Sequence, residues 1–226
     1  MSGIHDYIKK RSVDVKQHTL FNRIVVYVQS QLPETVNIRE VISTLEDRIP
    51  QYLMADIDSI FIGQFSFLND RALSAVYEDG AIYVTNEQEN VFDIVSDIVH
   101  EVAHSVESVY SLNIYGDGLI ETEFLAKRRS MADILHAHGH NEIDKSVFLK
   151  SEYSEEFDSY LYQTVGYATI DALVQELFVS PYGSTSLSEY YANVFEEFFI
   201  GDTQLAKRIS PAVYLKMIDF VTAEEG

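Results

Sequence analysis

The sequence contains no cysteine. Disulfides, Cys-ligated zinc and thiol nucleophiles are thereby excluded together. The compartment stays open on this ground, because a cysteine-free chain suits both the cytosol and the exterior. Basic residues are scarce: 16 Lys and Arg stand against 36 Asp and Glu, a net charge of −20. A protein that grips the phosphate backbone of nucleic acid needs a basic surface, so that class of function is excluded. The acidic balance reads first as a solvated surface and second as a preference for cationic substrates. No stretch is long and apolar enough to span a bilayer. No apolar run follows the basic residues near the N-terminus, so no secretory signal is expected. Neither nucleic acid nor membrane is thus expected as a partner. The expected location is cytoplasmic or virion-associated rather than secreted. There is no internal repeat and no low-complexity linker. The 226 residues, 46% hydrophobic and 23% charged, suit one globular domain, or one and a small lobe.

What is present begins with five residues, His100-Glu101-Val102-Ala103-His104. Residues four apart on a helix share a face, so both imidazoles can bind one ion. Glu101 follows the first of them, where it can reach a water in an open metal position. This HExxH pattern is the mechanism-bearing signature of zinc hydrolases, most of them peptidases. Val91, Phe92, Ile94, Val95, Ile98, Val99, Val102, Ala103 and Val106 recur around it at helical spacing. They predict a buried helix from about Asn90 to Tyr110. Without metal, the same pattern is an amphipathic helix with two incidental histidines.

Upstream, residues 1–20 are polar and weakly patterned, and read as an arm. Leu20–Val28 is a strand or a buried helical segment, which periodicity alone does not settle. Asn37 can cap a helix whose apolar face is Ile38, Val41, Ile42, Leu45 and Ile49, and Pro50 stops it. Ile60–Ile62 reads as a short strand. Leu73–Tyr77 and Ala81–Thr85 read as a hairpin across Glu78-Asp79-Gly80. Downstream the pattern is helical nearly to the end. Gly116-Asp117-Gly118 is a break. Helices are predicted at about Leu119–His138, from near Ser154, over Thr169–Val179, over Leu187–Ile200, and from the Ser210-Pro211 start signal. The fold class is α+β, a small mixed sheet followed by a mainly helical C-terminal half.

Catalytic zinc usually takes a third protein ligand, often Glu or His. His136, His138 and His140 resemble a ligand box, but the first two are spaced by two on a helix end and point apart. They read as a frayed, solvated terminus. Glu123 follows His104 at a spacing seen in some zinc aminopeptidases. Lys127, Arg128 and Arg129 then place positive charge beside it, and Lys127 cannot accept a hydrogen bond from a metal-bound imidazole. Glu189 has Asn193 one turn on, whose carbonyl can accept from such an imidazole. Tyr182, seven residues before Glu189, could donate its phenol to a developing oxyanion. The plainer reading of Glu189 is a capping box, Ser186-Leu187-Ser188-Glu189. The plainer reading of Tyr182 is a half-buried loop tyrosine. Spacing favours Glu123 and surroundings favour Glu189.

The set His100-Glu101-x-x-His104, Tyr182-Gly183, Glu189-Tyr190-Tyr191-Ala192-Asn193-x-Phe195 and Ser210-Pro211-Ala212-Val213-Tyr214 resembles the catalytic domain of anthrax lethal factor and its relatives, gluzincin-type metallopeptidases. The likeness covers roughly residues 70 to 220. It implies a zincin-like fold over 1–226, with one Zn2+ held by His100, His104 and Glu189, Glu101 as general base, Tyr182 assisting at the oxyanion, and a peptide or protein as substrate. Two features depart from that family. The stretch from His104 to Glu189 is much longer, which implies a helical insertion over about 111–180. Asn193 stands where the family has an acidic residue.

The expected function is therefore zinc-dependent peptide hydrolysis. By analogy with zinc peptidases, Ala81–Thr85 is expected to offer an edge to which an extended peptide adds. The rival expectation is a catalytically silent zincin-fold module that binds or builds, for example in a viral particle or toxin-like assembly. The intact Glu101 argues against it.

Overall fold

A computed structural model describes residues 15–71 and 73–222. The chain divides into two compact units, residues 1–106 and 107–226.

The first unit is built on five strands, β1 (Lys16–Leu20), β2 (Ile24–Val28), β3 (Ser59–Gly63), β4 (Ala75–Glu78) and β5 (Ala81–Thr85), in the order β1-β2-β3-β5-β4. The inner pairs β2–β3 and β3–β5 are parallel, and the outer pairs β1–β2 and β4–β5 are antiparallel. Side chains alternate as the pleat requires. Ile24, Val26, Val28, Ile60, Ile62, Ile82 and Val84 are buried on one face. On the other, Tyr27, Phe61 and Tyr83 stand in register. Their rings stack at 4.9 Å and 5.1 Å with interplanar angles of 8° and 14°. Such cross-strand pairs help to fix register.

Helix α1 (Ile38–Arg48) begins where Asn37 accepts from the Arg39 N–H, and Val41, Leu45 and Ile49 are buried as its spacing predicts. Pro50 then heads a short 3₁₀ turn, Gln51–Met54. Helix α2 (Ser66–Asp70) follows β3. The predicted hairpin forms, turning at Asp79 and Gly80, both at positive φ (47° and 82°). That sign at both central residues matches the right-handed twist of the paired strands.

Three expectations change here. Within the predicted arm Lys16–Leu20 is a strand; residues 1–14 lie outside the described residues. Leu20–Val28 holds the end of β1, a turn and β2, because Phe21 and Asn22 adopt φ of 53° and reverse the chain. Ala81–Thr85 is not an edge. The hairpin folds β4 to the outside, and β5 pairs in parallel with β3, so the edges are β1 and β4.

Helix α3 (Val91–Tyr115) runs from the first unit into the second. Asn90 starts it, its side chain accepting from the N–H groups of Phe92 and Asp93. Its predicted end, Tyr110, is instead a local break in helical geometry (φ −108°, ψ 20°), after which helix resumes.

The described part of the second unit consists of helices and the turns between them. Gly118, at φ 70°, turns the chain into α4 (Leu119–Ala137), which ends before Gly139 at φ 95°. Then come a 3₁₀ turn (Lys145–Leu149), α5 (Glu155–Ser159) capped by Ser154, a π-helical turn (Tyr160–Val165) and α6 (Tyr167–Leu173). The helix predicted to reach Val179 stops at Leu173, and Glu176 sits at φ 65°, outside helical space. A 3₁₀ turn (Tyr182–Ser184) leads to α7 (Leu187–Phe199). Helix α8 (Thr203–Ile209), capped by Asp202, was not predicted; α9 (Pro211–Thr222) starts at the predicted Ser-Pro signal. Among the described residues no helix is long and apolar enough to cross a membrane.

Candidate metal centre

Val95, Ile98, Val99, Val102, Ala103 and Val106 bury α3 on its apolar side, which fixes its rotation. The remaining face carries His100, Glu101 and His104. Their ligand atoms all lie within 4.8 Å of one another. The two imidazoles stand 5.0 Å apart between centroids, at 76°. Glu101 is 8% exposed, and its Oε2 accepts from the Tyr77 backbone N–H at 2.7 Å. Tyr77 lies on the edge strand β4, so a rigid sheet edge orients the carboxylate. Two imidazoles and a carboxylate, with no thiolate in the chain, are a nitrogen and oxygen donor set that suits zinc.

The other expected residues lie in the second unit. Tyr182 occupies the 3₁₀ turn before α7, and Glu189 the first turn of that helix. Glu189 also fills its plainer role in part, since its N–H donates to Ser186 Oγ at 3.1 Å. Burial, and then the charges of Glu189 and Asp158, push the Tyr182 phenol far above the usual tyrosine range; Tyr153 and Tyr167 add to the rise. Tyr182 therefore remains a protonated donor at any physiological pH. Around it, Tyr153 and Tyr167 each donate to Asp158, at 3.0 Å and 2.9 Å.

Asn193 braces the Tyr182 turn. Its Oδ1 accepts from Ser180 Oγ, and Ser180 Oγ in turn accepts from the Gly183 N–H. A Cβ at Gly183 would lie 3.3 Å from the Asn193 side chain, so the glycine permits that close approach.

Glu123 is engaged on both oxygens. It accepts from the Tyr190 hydroxyl at 2.7 Å and from the Ala212 N–H at 3.1 Å. Lys127 donates to the carbonyls of Leu177 and Ile209. Burial lowers the Lys127 pKa and Glu123 partly restores it. Of the histidine cluster, His138 pairs its Nδ1 with Ile134 O at 2.8 Å, at an exposed helix end. The structure thus forms two groups: His100, Glu101 and His104 in the first unit, and Tyr182, Glu189 and Asn193 in the second.

Comparison with profiles of protein families, with curated proteins and with solved structures finds no match.

Two features escaped the sequence reading. Glu107 lies seven positions after His100 and three after His104, a spacing that keeps all three on one face of α3. Its carboxylate accepts from the hydroxyls of Tyr115 and Ser188, and Ser188 is the neighbour of Glu189. The spacing was a usable signal. The bond from Tyr77 to Glu101 had none, since a backbone donor carries no residue type.

Proposed function

We propose that this chain is a zinc-dependent metallopeptidase with a zincin-like fold, in which His100, His104 and Glu189 hold the ion. The observation that carries the reading is the convergence of His100, Glu101 and His104, with the Glu101 carboxylate buried and aimed by the Tyr77 N–H. Zinc, when bound, supplies Lewis acidity that polarises a scissile carbonyl and acidifies water. Glu101 takes the proton of the attacking water and passes it to the leaving amine. Tyr182, kept protonated by burial and neighbouring carboxylates, donates to the oxygen of the carbonyl under attack. Glu189 is preferred to Glu123 because Asn193, one turn after Glu189, offers a carbonyl that can accept from a metal-bound imidazole, whereas Lys127, one turn after Glu123, cannot accept. The substrate class is peptide or protein.

The experiment is a mixed-peptide cleavage assay on the full chain, as purified, after chelation and after zinc is restored. Cleavage that chelator abolishes and zinc restores is the expected result. Stoichiometric zinc with no cleavage of any peptide would replace the peptidase with a silent binding module. No zinc uptake at all would remove the peptidase.

A further inference from the structure

Arg128, on α4, is only 1% exposed. A buried guanidinium ordinarily sits against a carboxylate. Here its three acceptors are backbone carbonyls. Nη1 donates to Ser184 O at 2.7 Å and Thr185 O at 3.1 Å, and Nη2 to Val147 O at 3.1 Å. The Phe157 ring lies 3.9 Å from the guanidinium carbon, with Phe124 and Phe148 at 5.4 Å and 5.7 Å. Carbonyl dipoles and ring faces thus take the place of a counter-ion. Burial draws the Arg128 pKa down to about 9, so the group is still charged at neutral pH.

The carbonyls it holds are placed to matter. The Thr185 N–H and hydroxyl both donate to Tyr182 O, at 3.0 Å and 2.8 Å. The next residue, Ser186, caps α7 by accepting from the Glu189 N–H. One fork therefore grips the chain between the Tyr182 turn and the Glu189 cap. An apolar side chain of equal volume would leave the carbonyls unsatisfied. A lysine would supply the charge at one point without the planar fork.

We propose that Arg128 is a positioning residue that sets Tyr182 and Glu189 through the carbonyls of Ser184 and Thr185. Its functional half rests on the zinc reading above; its structural half does not.

The test uses the full chain with R128K and R128M. Three quantities are read: amide hydrogen exchange over residues 181–190, zinc affinity by chelator competition, and the split between kcat and KM. R128K is expected to fold, to speed exchange in that segment about tenfold, and to weaken zinc about tenfold, the size of one good hydrogen bond. It should lower kcat more than it raises KM. In a Glu189→Ala background it should still speed exchange in that segment, because the carbonyl grip does not depend on the ion. R128K with wild-type exchange in the segment and wild-type zinc affinity would overturn the proposal. If Glu189→Ala itself binds zinc like wild type, the ligand assignment fails, and the exchange measurement alone still decides whether Arg128 holds the turn. If R128M does not fold, R128K carries the decision.

Discussion

Among the described residues of the first unit the buried hydrophobic ones, such as Ile24, Val26, Ile60, Ile62, Ile82, Val84, Ile94 and Ile98, include no aromatic. In the second unit they include Phe124, Phe148, Phe157, Tyr190, Tyr191 and Phe195, together with Arg128. The first interior is aliphatic and non-directional, and it needs only volume and period. The second depends on directed pairs, among them Tyr115 on Glu107, Tyr190 on Glu123 and Tyr167 on Asp158. The histidine pair is mounted on the aliphatic unit, where little besides helix phase has to be right. The phenol and carboxylate candidates belong to the unit whose geometry is set by hydrogen bonds.

Alkaline pH should break this contrast most strongly. Burial, with Glu107 or Glu123 beside them, raises the phenols of Tyr115, Tyr190 and Tyr191 well above 10. A raised folded-state pKa means stability that is complete below the unfolded value, near 10, and lost as pH rises beyond it. Each such phenol removes about 1.4 kcal/mol per pH unit in that window. The second unit should therefore unfold steeply above pH 10, with phenolate absorbance and loss of helical circular dichroism rising together. Phenolate that forms fully while the helices stay intact would contradict the directed-pair account.

Next in size, Glu101→Gln should lower peptide turnover about 10²–10⁴-fold, the usual range for a general base. Its melting temperature should hardly move, since the amide oxygen still accepts from Tyr77. Wild-type turnover would remove the base assignment. Phe157→Ala should cost about 3–5 kcal/mol, because it opens a cavity and uncovers Arg128. Ile60→Val, on the aliphatic side, should cost only about 0.5–1.5 kcal/mol. Urea denaturation of both tests whether the interiors differ in this way.

The contrast also explains what could be read from the sequence. In the first unit, Asn37, Pro50, Asp79 and Gly80 are local signals with local consequences, and the cap, stop and turn fall where they point. The His100–His104 helix was legible for the same reason. Strand β1 was not, because Lys16–Leu20 is an edge whose pattern is mostly polar and only Leu20 is fully buried. In the second unit the decisive contacts link distant positions, such as Glu107 with Ser188, Arg128 with Ser184, and Glu123 with Ala212. No period records such pairs. The overlong prediction over Thr169–Val179 and the missed Thr203–Ile209 helix come from the same cause, since helix propensity alone says little where packing decides.

Tyr182→Phe should lower turnover by about 2.7–4 kcal/mol of transition-state energy, with a smaller change in KM. A pure rise in KM would make the phenol a substrate-positioning group. A local backbone effect should come from Gly80→Ala, which puts a Cβ 3.3 Å from Asp56 O at φ 82°. A loss of about 1–2 kcal/mol, read by thermal melting, is the usual cost of left-handed backbone for a non-glycine residue.

The most direct test of the central claim is a zinc titration of the full chain against a competing chromophoric chelator, run on wild type, His100→Ala, Glu189→Ala and Glu123→Ala. The account predicts one zinc per wild-type chain, binding lost or weakened by orders of magnitude in His100→Ala and Glu189→Ala, and wild-type affinity in Glu123→Ala. Wild-type affinity in Glu189→Ala, with binding lost in Glu123→Ala, would contradict it.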